Sequence, residues 1–412
     1  MTDRSHTDSP YPETAAGEMD TDQVIRMEQA FQLPTYAKLP IALERGSGCY
    51  LWDLEGRRYL DFYGGHCVTP LGHCPPPVVE AISRQAQQLL FYSNVVYSPV
   101  RAQAAELVVS LSPDGIEQVF FCNSGTEANE TALKVARKLT GRSGILAFEQ
   151  GFHGRTLGSL AATWSAKYRE PYIGALGPAS FVPLNDVDAA REVLGSRDMA
   201  AAIVEPIQSM AGVVEADPAF LVRLKELCKD SGTLLIFDEV QTGVGRTGTF
   251  SISEQIGVVP DMITMAKSLG SGIPVGAVLA TGEVARSVEV GDQGTTFGGG
   301  MIAMAAVIAT LETIVAEGLM ARAGRICERI RSEIGGFVVS VRGRGCLIGI
   351  ELEGPVKDVI RRLREDGILV GGSGDPNVIR LMPPLNTPDV VLDEFLAVFT
   401  RILAGREEAA AP

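Results

Sequence analysis

The stretch TLLIFDEVQTGVGRTG, residues 233–248, is an apolar run that delivers two acids and then dissolves into glycine and threonine. Its core LLIF has no polar face, the mark of a strand covered on both sides, as strands in parallel sheets are. Such sheets take ligands at the carboxyl ends of their strands, where Asp238 and Glu239 fall. Outward from it, the short apolar runs QVFFC (118–122), GILAFE (144–149), AAIVEP (201–206) and MITMA (262–266) alternate with segments of helical period such as PPVVEAISRQAQQLL (76–90) and RAQAAELVVSLS (101–112). The alternation predicts an α/β unit over residues 76–304, with a mainly parallel central sheet and helices on both faces. Before it, LPIALERGSGCYLWDLEGRRYLDFYGG (39–65) alternates apolar and polar residues around GSG and LEG and reads as a small strand meander within residues 26–75. After it, residues 305–412 complete a long helical run (301–334), followed by strand-like runs and a last helix. This predicts a smaller α+β domain built from both ends of the chain.

The 412 residues carry a formal charge of −14, which repels nucleic-acid phosphate and anionic membrane alike and leaves small molecules as the expected partners. Seven scattered cysteines are expected as reduced thiols of a cytoplasmic protein. The HC pairs at 66–67 and 73–74 lack the second closely spaced pair of a zinc site, so no metal is expected. Residues 1–25 begin with a polar, acidic stretch without an apolar core and read as a disordered arm, neither a signal peptide nor a span.

The chemistry lies in three places. VFFCNSGTEANETALKVARK (119–138) ends a strand at Cys122 and opens a helix at Gly125 and Thr126, with Ser124 and Glu127 spaced as a capping box. Free N–H groups and the positive helix end there suit a phosphate. Gly243, Gly245 and Gly248 show the G-x-G-x-x-G spacing of a dinucleotide site, but they open no helix, and Asp261 starts a strand where an acid should end one. A nicotinamide reading therefore fails. Finally, DMITMAKSLGSG (261–272) sets Lys267 at the end of an apolar run with no acid after Asp261. A lysine so placed either snorkels to water or is kept neutral for chemistry. A phosphate cradle, a carboxylate at a strand end and a lysine at the end of a later strand are the parts that pyridoxal 5'-phosphate needs. Lysine forms the Schiff base, Asp238 keeps the pyridine nitrogen protonated, and the helix start takes the phosphate.

At these residues the sequence resembles the class III (ω-amino acid) aminotransferases of pyridoxal-phosphate fold type I. The motifs that carry the likeness are NSGTEANE (123–130), FHGRT (152–156), VEPIQ (204–208), FDEVQTGVGRTG (237–248), AKSLGSGIPVGA (266–277), TTFGG (295–299) and RGRGCLIGIEL (342–352). Within the family, residues 39–62 look most like the ornithine and acetylornithine aminotransferases. The resemblance implies an aminotransferase that carries an amino group from an amino acid or amine to a 2-oxo acid such as 2-oxoglutarate or pyruvate, with Lys267 and Asp238 catalytic. It implies that Gly125 and Thr126 bind the phosphate, that Phe152 and Val240 cover the two ring faces, and that Gln241 meets the ring hydroxyl. Thr296 would reach the cofactor of a second copy, making an obligate homodimer with shared sites. Tyr36, Arg155, Glu205 and Arg380 would line the substrate pocket, the two arginines binding carboxylates. A racemase or aminomutase of the same family, or a silent binding protein on its scaffold, are the alternatives. The chain departs from the family at three places: Met210 for a glutamate, His66 for a pocket tyrosine, and Gly300 for an asparagine.

Overall fold

The computed structural model describes residues 19–410. Most of the expected acidic arm, residues 1–18, lies outside the described residues. The rest departs from expectation, because Thr21–Phe31 is helical. Asp20 and Gln23 close a capping box there, Asp20 Oδ1 accepting from the Gln23 N–H at 2.7 Å and Gln23 Oε1 from the Asp20 N–H at 3.1 Å.

Strands β1 (Leu43–Ser47), β2 (Tyr50–Asp53) and β3 (Arg58–Asp61) form the antiparallel meander. Its tight turns use Gly48 and Gly56, both left-handed. The large sheet follows, from β4 (Ile116–Cys122), β5 (Gly144–Phe148), β6 (Ala179–Val182) and β7 (Met199–Val204). After a two-residue hairpin, β8 (Ile207–Gln208) and β9 (Val214–Glu215), come β10 (Leu234–Asp238), β11 (Met262–Met265) and β12 (Gly276–Thr281). The order across the sheet is β4-β12-β11-β10-β7-β5-β6.

β10 sits in the middle and explains why its sequence has no polar face. Ile236 packs into one layer with Ile203, Met262 and the helix Gly125–Thr140, while Leu235 and Phe237 pack into the other with Phe220 and Leu224 of the helix Pro218–Ser231. One strand does not run with the rest: β12 is antiparallel to both β11 and β4. The link from β11 to β12 holds only the short turn Lys267–Gly270, and a parallel return needs a crossover of a dozen or more residues. That constraint reverses β12 and places Lys267 in a hairpin-like corner at the sheet's ligand end.

The helical run expected over 301–334 is two helices, Met301–Ala316 and Leu319–Ile334, bent by 66° at left-handed Gly318. No single described helix is long and apolar enough to cross a membrane. β13 (Ser340–Arg344), β14 (Leu347–Glu351) and β16 (Val378–Leu381) form a three-stranded antiparallel sheet. β15 (Ile368–Leu369) lies beside β3 in parallel, so both ends of the chain share one sheet. All seven cysteines are free and only Cys74 is exposed.

Candidate active site

β10 and β11 lie side by side with Asp238 opposite Thr264, and both chains break out of the sheet at that edge. Asp238 is buried and fully engaged. Its Oδ2 accepts from Asn129 Nδ2 at 2.8 Å and from His153 Nδ1 at 2.7 Å, and its Oδ1 accepts from the Val240 N–H at 3.1 Å. Asn129 is fixed in turn by the Thr264 hydroxyl at 2.7 Å and by donating to the His153 carbonyl at 2.7 Å. Burial works against the charged form of His153, but the hydrogen bond and charge of Asp238, with Glu205 behind them, raise its pKa overall. The buried carboxylate of Asp238, oriented by these three donors, offers a seat for a protonated ring nitrogen.

Lys267 follows β11 with φ at 46°, a left-handed backbone that costs a lysine about 1–3 kcal/mol. Lys267 is half-buried, and the protein around its amine lowers the pKa by desolvation. Arg380 lowers it further, while Cys67, Asp238 and Glu205 pull the other way. On balance the amine is held toward its neutral, nucleophilic form.

The helix Gly125–Thr140 points its start at the same corner. Ser124 Oγ accepts from the Glu127 N–H at 3.3 Å, but the return half of the expected box is displaced by one residue: Glu127 Oε2 accepts from the Asn123 N–H at 2.6 Å. Gly125 lies so near Val240 that a Cβ would stand 2.9 Å from its Cγ1. Thr126 turns its hydroxyl to Thr156 Oγ1 at 2.9 Å and Ser159 Oγ at 2.7 Å, fastening the loop that carries Phe152 and Arg155. Phe152 gives its N–H to Glu205 Oε1 at 2.8 Å, and burial pushes the Glu205 carboxyl up to about 7. Gln241 is buried with its Oε1 lacking any hydrogen-bond partner among the described residues. An open acceptor on Gln241, a lysine whose pKa burial lowers, a helix start and a buried aspartate are what the hydroxyl, aldehyde, phosphate and ring nitrogen of pyridoxal phosphate fit.

On the opposite wall Arg380, on β16, is 2% exposed and forms no ion pair among the described residues. Its Nε donates to the Gly372 carbonyl at 2.7 Å, and its Nη1 contacts Ser209 Oγ at 3.1 Å and Met210 Sδ at 3.2 Å. Tyr63 bonds to His66 Nδ1 nearby, and burial with the charges of Lys267 and Arg380 drives the His66 pKa down to about 3, so its imidazole is neutral. Gly300 caps the helix Met301–Ala316 without the side-chain bond an asparagine could give.

The remaining residues lie apart. Arg155 is exposed, its guanidinium 4.9 Å from the Tyr168 ring centre. Thr296 is exposed beside Phe297. Tyr36, 71% exposed, borders a groove of about 990 Å³ beside the helix Thr21–Phe31, which none of the residues around Lys267 lines. Three groups in contact with the centre escaped the sequence reading: Asn129, His153 and Tyr63. Asn129 falls one helical turn after Gly125 and His153 adjoins Phe152, both inside quoted motifs, so the signal was their polar character on segments otherwise packed in the core.

The family described as Aminotransferase class-III matches residues 32–403. The acetylornithine aminotransferase of Methanopyrus kandleri is 45% identical over 385 residues, covering 92% of this chain and 97% of the relative. Among solved structures, the ornithine aminotransferase of Toxoplasma gondii superposes with a TM-score of 0.88 at 30% identity, covering 95% of each chain. The acetylornithine aminotransferase of Elizabethkingia anophelis gives 0.83 at 33%, covering 93% of this chain and 99% of that one. These relatives are aminotransferases, which sets aside the racemase, aminomutase and silent-scaffold alternatives. Matched over most of its length, and with a corner built for pyridoxal phosphate, the chain belongs to the class-III aminotransferases, enzymes of fold type I that use that cofactor.

Proposed function

We propose that this transaminase takes its amino group from a donor of the acetylornithine, ornithine or ω-amino acid class and passes it to a 2-oxo acid such as 2-oxoglutarate or pyruvate. The observation that carries this reading is Arg380, a buried guanidinium without a carboxylate among the described residues, whose charge is felt by Lys267. A desolvated cation of this kind favours an anionic ligand, and the planar guanidinium suits a carboxylate held by two hydrogen bonds. The 45% identity to an acetylornithine aminotransferase favours acetylornithine among the donors.

Bound pyridoxal phosphate supplies an aldehyde and a ring that accepts electrons. Lys267 would hold that aldehyde through its Nζ and, once the donor's amine has taken its place, would carry the proton from the donor's reacting carbon. The carboxylate of Asp238 would pair with the ring nitrogen and hold it protonated. The N–H groups of Gly125 and Thr126 would hold the phosphate, Phe152 and Val240 would cover the ring faces, and Gln241 Oε1, which has no partner among the described residues, would accept from the ring hydroxyl. Glu205 holds the Phe152 backbone, Arg155 and Arg380 would take the substrate carboxylates, and Tyr36, which borders a separate groove in the single chain, would meet the substrate only in the assembled enzyme.

The active form is a cytoplasmic homodimer in which Thr296 serves the other copy's phosphate. Exposed Val95, Tyr97 and Phe297 support it: they form an apolar surface around Thr296, and Asn94 ties the two loops by donating to the carbonyls of Thr295 and Gly298 at 3.2 and 2.9 Å. Free thiols suit the cytoplasm, and the charge of −14 disfavours nucleic acid and anionic membrane as partners. Incubating the purified enzyme with acetylornithine, ornithine, alanine and β-alanine against each oxo acid tests the reading. Product with none of these donors would overturn it.

A further inference from the structure

Arg246, in the run GVGRTG beyond β10, has no exposed surface and no carboxylate partner among the described residues. Its Nη1 donates to the Pro383 carbonyl at 2.5 Å and to the Cys346 carbonyl at 3.4 Å. Its Nη2 reaches Ser268 Oγ at 3.4 Å, and its Nε is buried without any partner. The backbone joins the same clasp, since the Arg246 carbonyl accepts from the Cys346 N–H at 2.7 Å. Gly345 permits this approach: it is left-handed, and a Cβ on it would stand 2.3 Å from the Arg246 oxygen.

A buried guanidinium without a counter-ion is a burden on stability, and a hydrocarbon of its volume would pack there at lower cost. Sealed from the pocket, Arg246 gains nothing by touching a ligand. What it holds is informative. Pro383 lies just beyond Arg380 on the same run, and Ser268 is the residue after Lys267. Ser268 also donates its hydroxyl to the Cys67 carbonyl at 3.1 Å, and Cys67, like Lys267, is left-handed. One planar side chain thus spans the turn of Lys267 and the segment that follows the buried guanidinium of Arg380.

We infer that Arg246 is a positioning residue that fixes the spacing between Lys267 and Arg380, and so selects how far a substrate's reacting amine stands from its carboxylate. The inference rests on the role proposed above for Arg380. The rigid fork of a guanidinium holds three acceptors at set angles, whereas an ammonium at the same place keeps the charge and loses the geometry.

The test uses the full-length, cofactor-loaded enzyme and its variants Arg246→Lys and Ser268→Ala, which cut the span at either end. Three quantities are measured: kcat/KM for the homologous donors 3-aminopropanoate and 4-aminobutanoate, the pH midpoint of the visible cofactor band, and the far-UV circular dichroism. With the fold retained, Arg246→Lys is expected to lower kcat/KM for the better donor about tenfold, the scale of one lost hydrogen bond to a charged group. The ratio between the two donors changes severalfold, and the midpoint moves because the Lys267 turn relaxes. Ser268→Ala shifts the same two readouts to a smaller degree, and decides alone if Arg246→Lys does not fold. An active wild type whose donor ratio and midpoint survive in a folded variant overturns the inference by itself. A wild type that transfers from no donor removes the functional reading and this inference together.

Discussion

Around Asp238 the polar side chains are closed in: Asp238 receives three hydrogen bonds, Asn129 is held at both ends, and His153 is sealed beside them. At the rim the opposite holds. Tyr36, Arg155 and Thr296 stand open to solvent, next to Phe31, Leu33, Tyr97 and Phe297, apolar side chains that a lone chain would not expose without loss. The centre is a device that one chain builds by itself, and its geometry is set before any partner arrives. In the dimer proposed above the rim would be half of a surface, and residues assigned there by family resemblance would gain their contacts when a second copy covers them.

Five experiments break or sharpen that contrast. Lys267→Ala removes the amine assigned to the Schiff base, and turnover should fall by at least about 10²–10⁴-fold, the range of a positioned acid-base group, with loss of the borohydride-fixable absorption band. Near-normal turnover would end the assignment. Asp238→Asn should leave a folded, cofactor-loaded protein whose kcat is lower by about 10²–10³-fold, because an amide does not hold the ring nitrogen protonated. At the rim, Phe297→Asp should convert dimer to monomer in sedimentation and make activity depend on protein concentration, with the circular dichroism unchanged. A variant that stays dimeric and fully active would show the rim to be self-sufficient.

The fourth test concerns Met210, whose thioether is a weak acceptor and leaves Arg380 unmasked. Met210→Glu supplies a carboxylate to the same guanidinium and should disfavour monoamino donors by about ten- to a hundredfold relative to ornithine, measured as kcat/KM. An unchanged donor ranking would refute the unmasking. The smallest effect is on stability. Burial raises the Glu239 carboxyl to about 7 despite bonds from Ser251, from the Ile252 N–H at 2.8 Å and from Thr242 at 3.3 Å. The folded state therefore binds more protons than the unfolded chain between the ordinary carboxyl value of 4.5 and about 7, so stability declines as pH rises through that window and levels off above it. Glu239→Gln should flatten this decline by roughly 2–3 kcal/mol between pH 4.5 and 8 in urea titrations.

Much of the central sheet was legible because its signals are local. An apolar run without a polar face at β10, and an acid at its end, state both burial and chemistry in a few residues. The strand β6 and the reversal at β12 were not read, the first because Ala179–Val182 is short and half-buried, the second because direction depends on the length of a link, not on the strand itself. The bend at Gly318 was a glycine signal left unused inside an apolar helical run. At the site, Lys267 and Asp238 follow from spacing and charge, whereas the bonds of Asn129 and His153 to Asp238 join segments 109 and 85 residues away, a distance no local pattern encodes.

The antiparallel β12 also has a temporal consequence. It lies between β4 and β11, pairing Gly276 with Cys122 and Thr281 with Ile116. While the chain is being synthesised, β4 therefore has no neighbour on the sheet until residue 281 has left the ribosome, although the helix with the phosphate-binding start was made long before. Until then the growing protein presents two bare strand edges, at β4 and β11, which are templates for wrong pairing. Chains that stall or are truncated between residues 265 and 276 should be the most prone to aggregate, and the pyridoxal-phosphate corner is finished only when that late strand closes the gap.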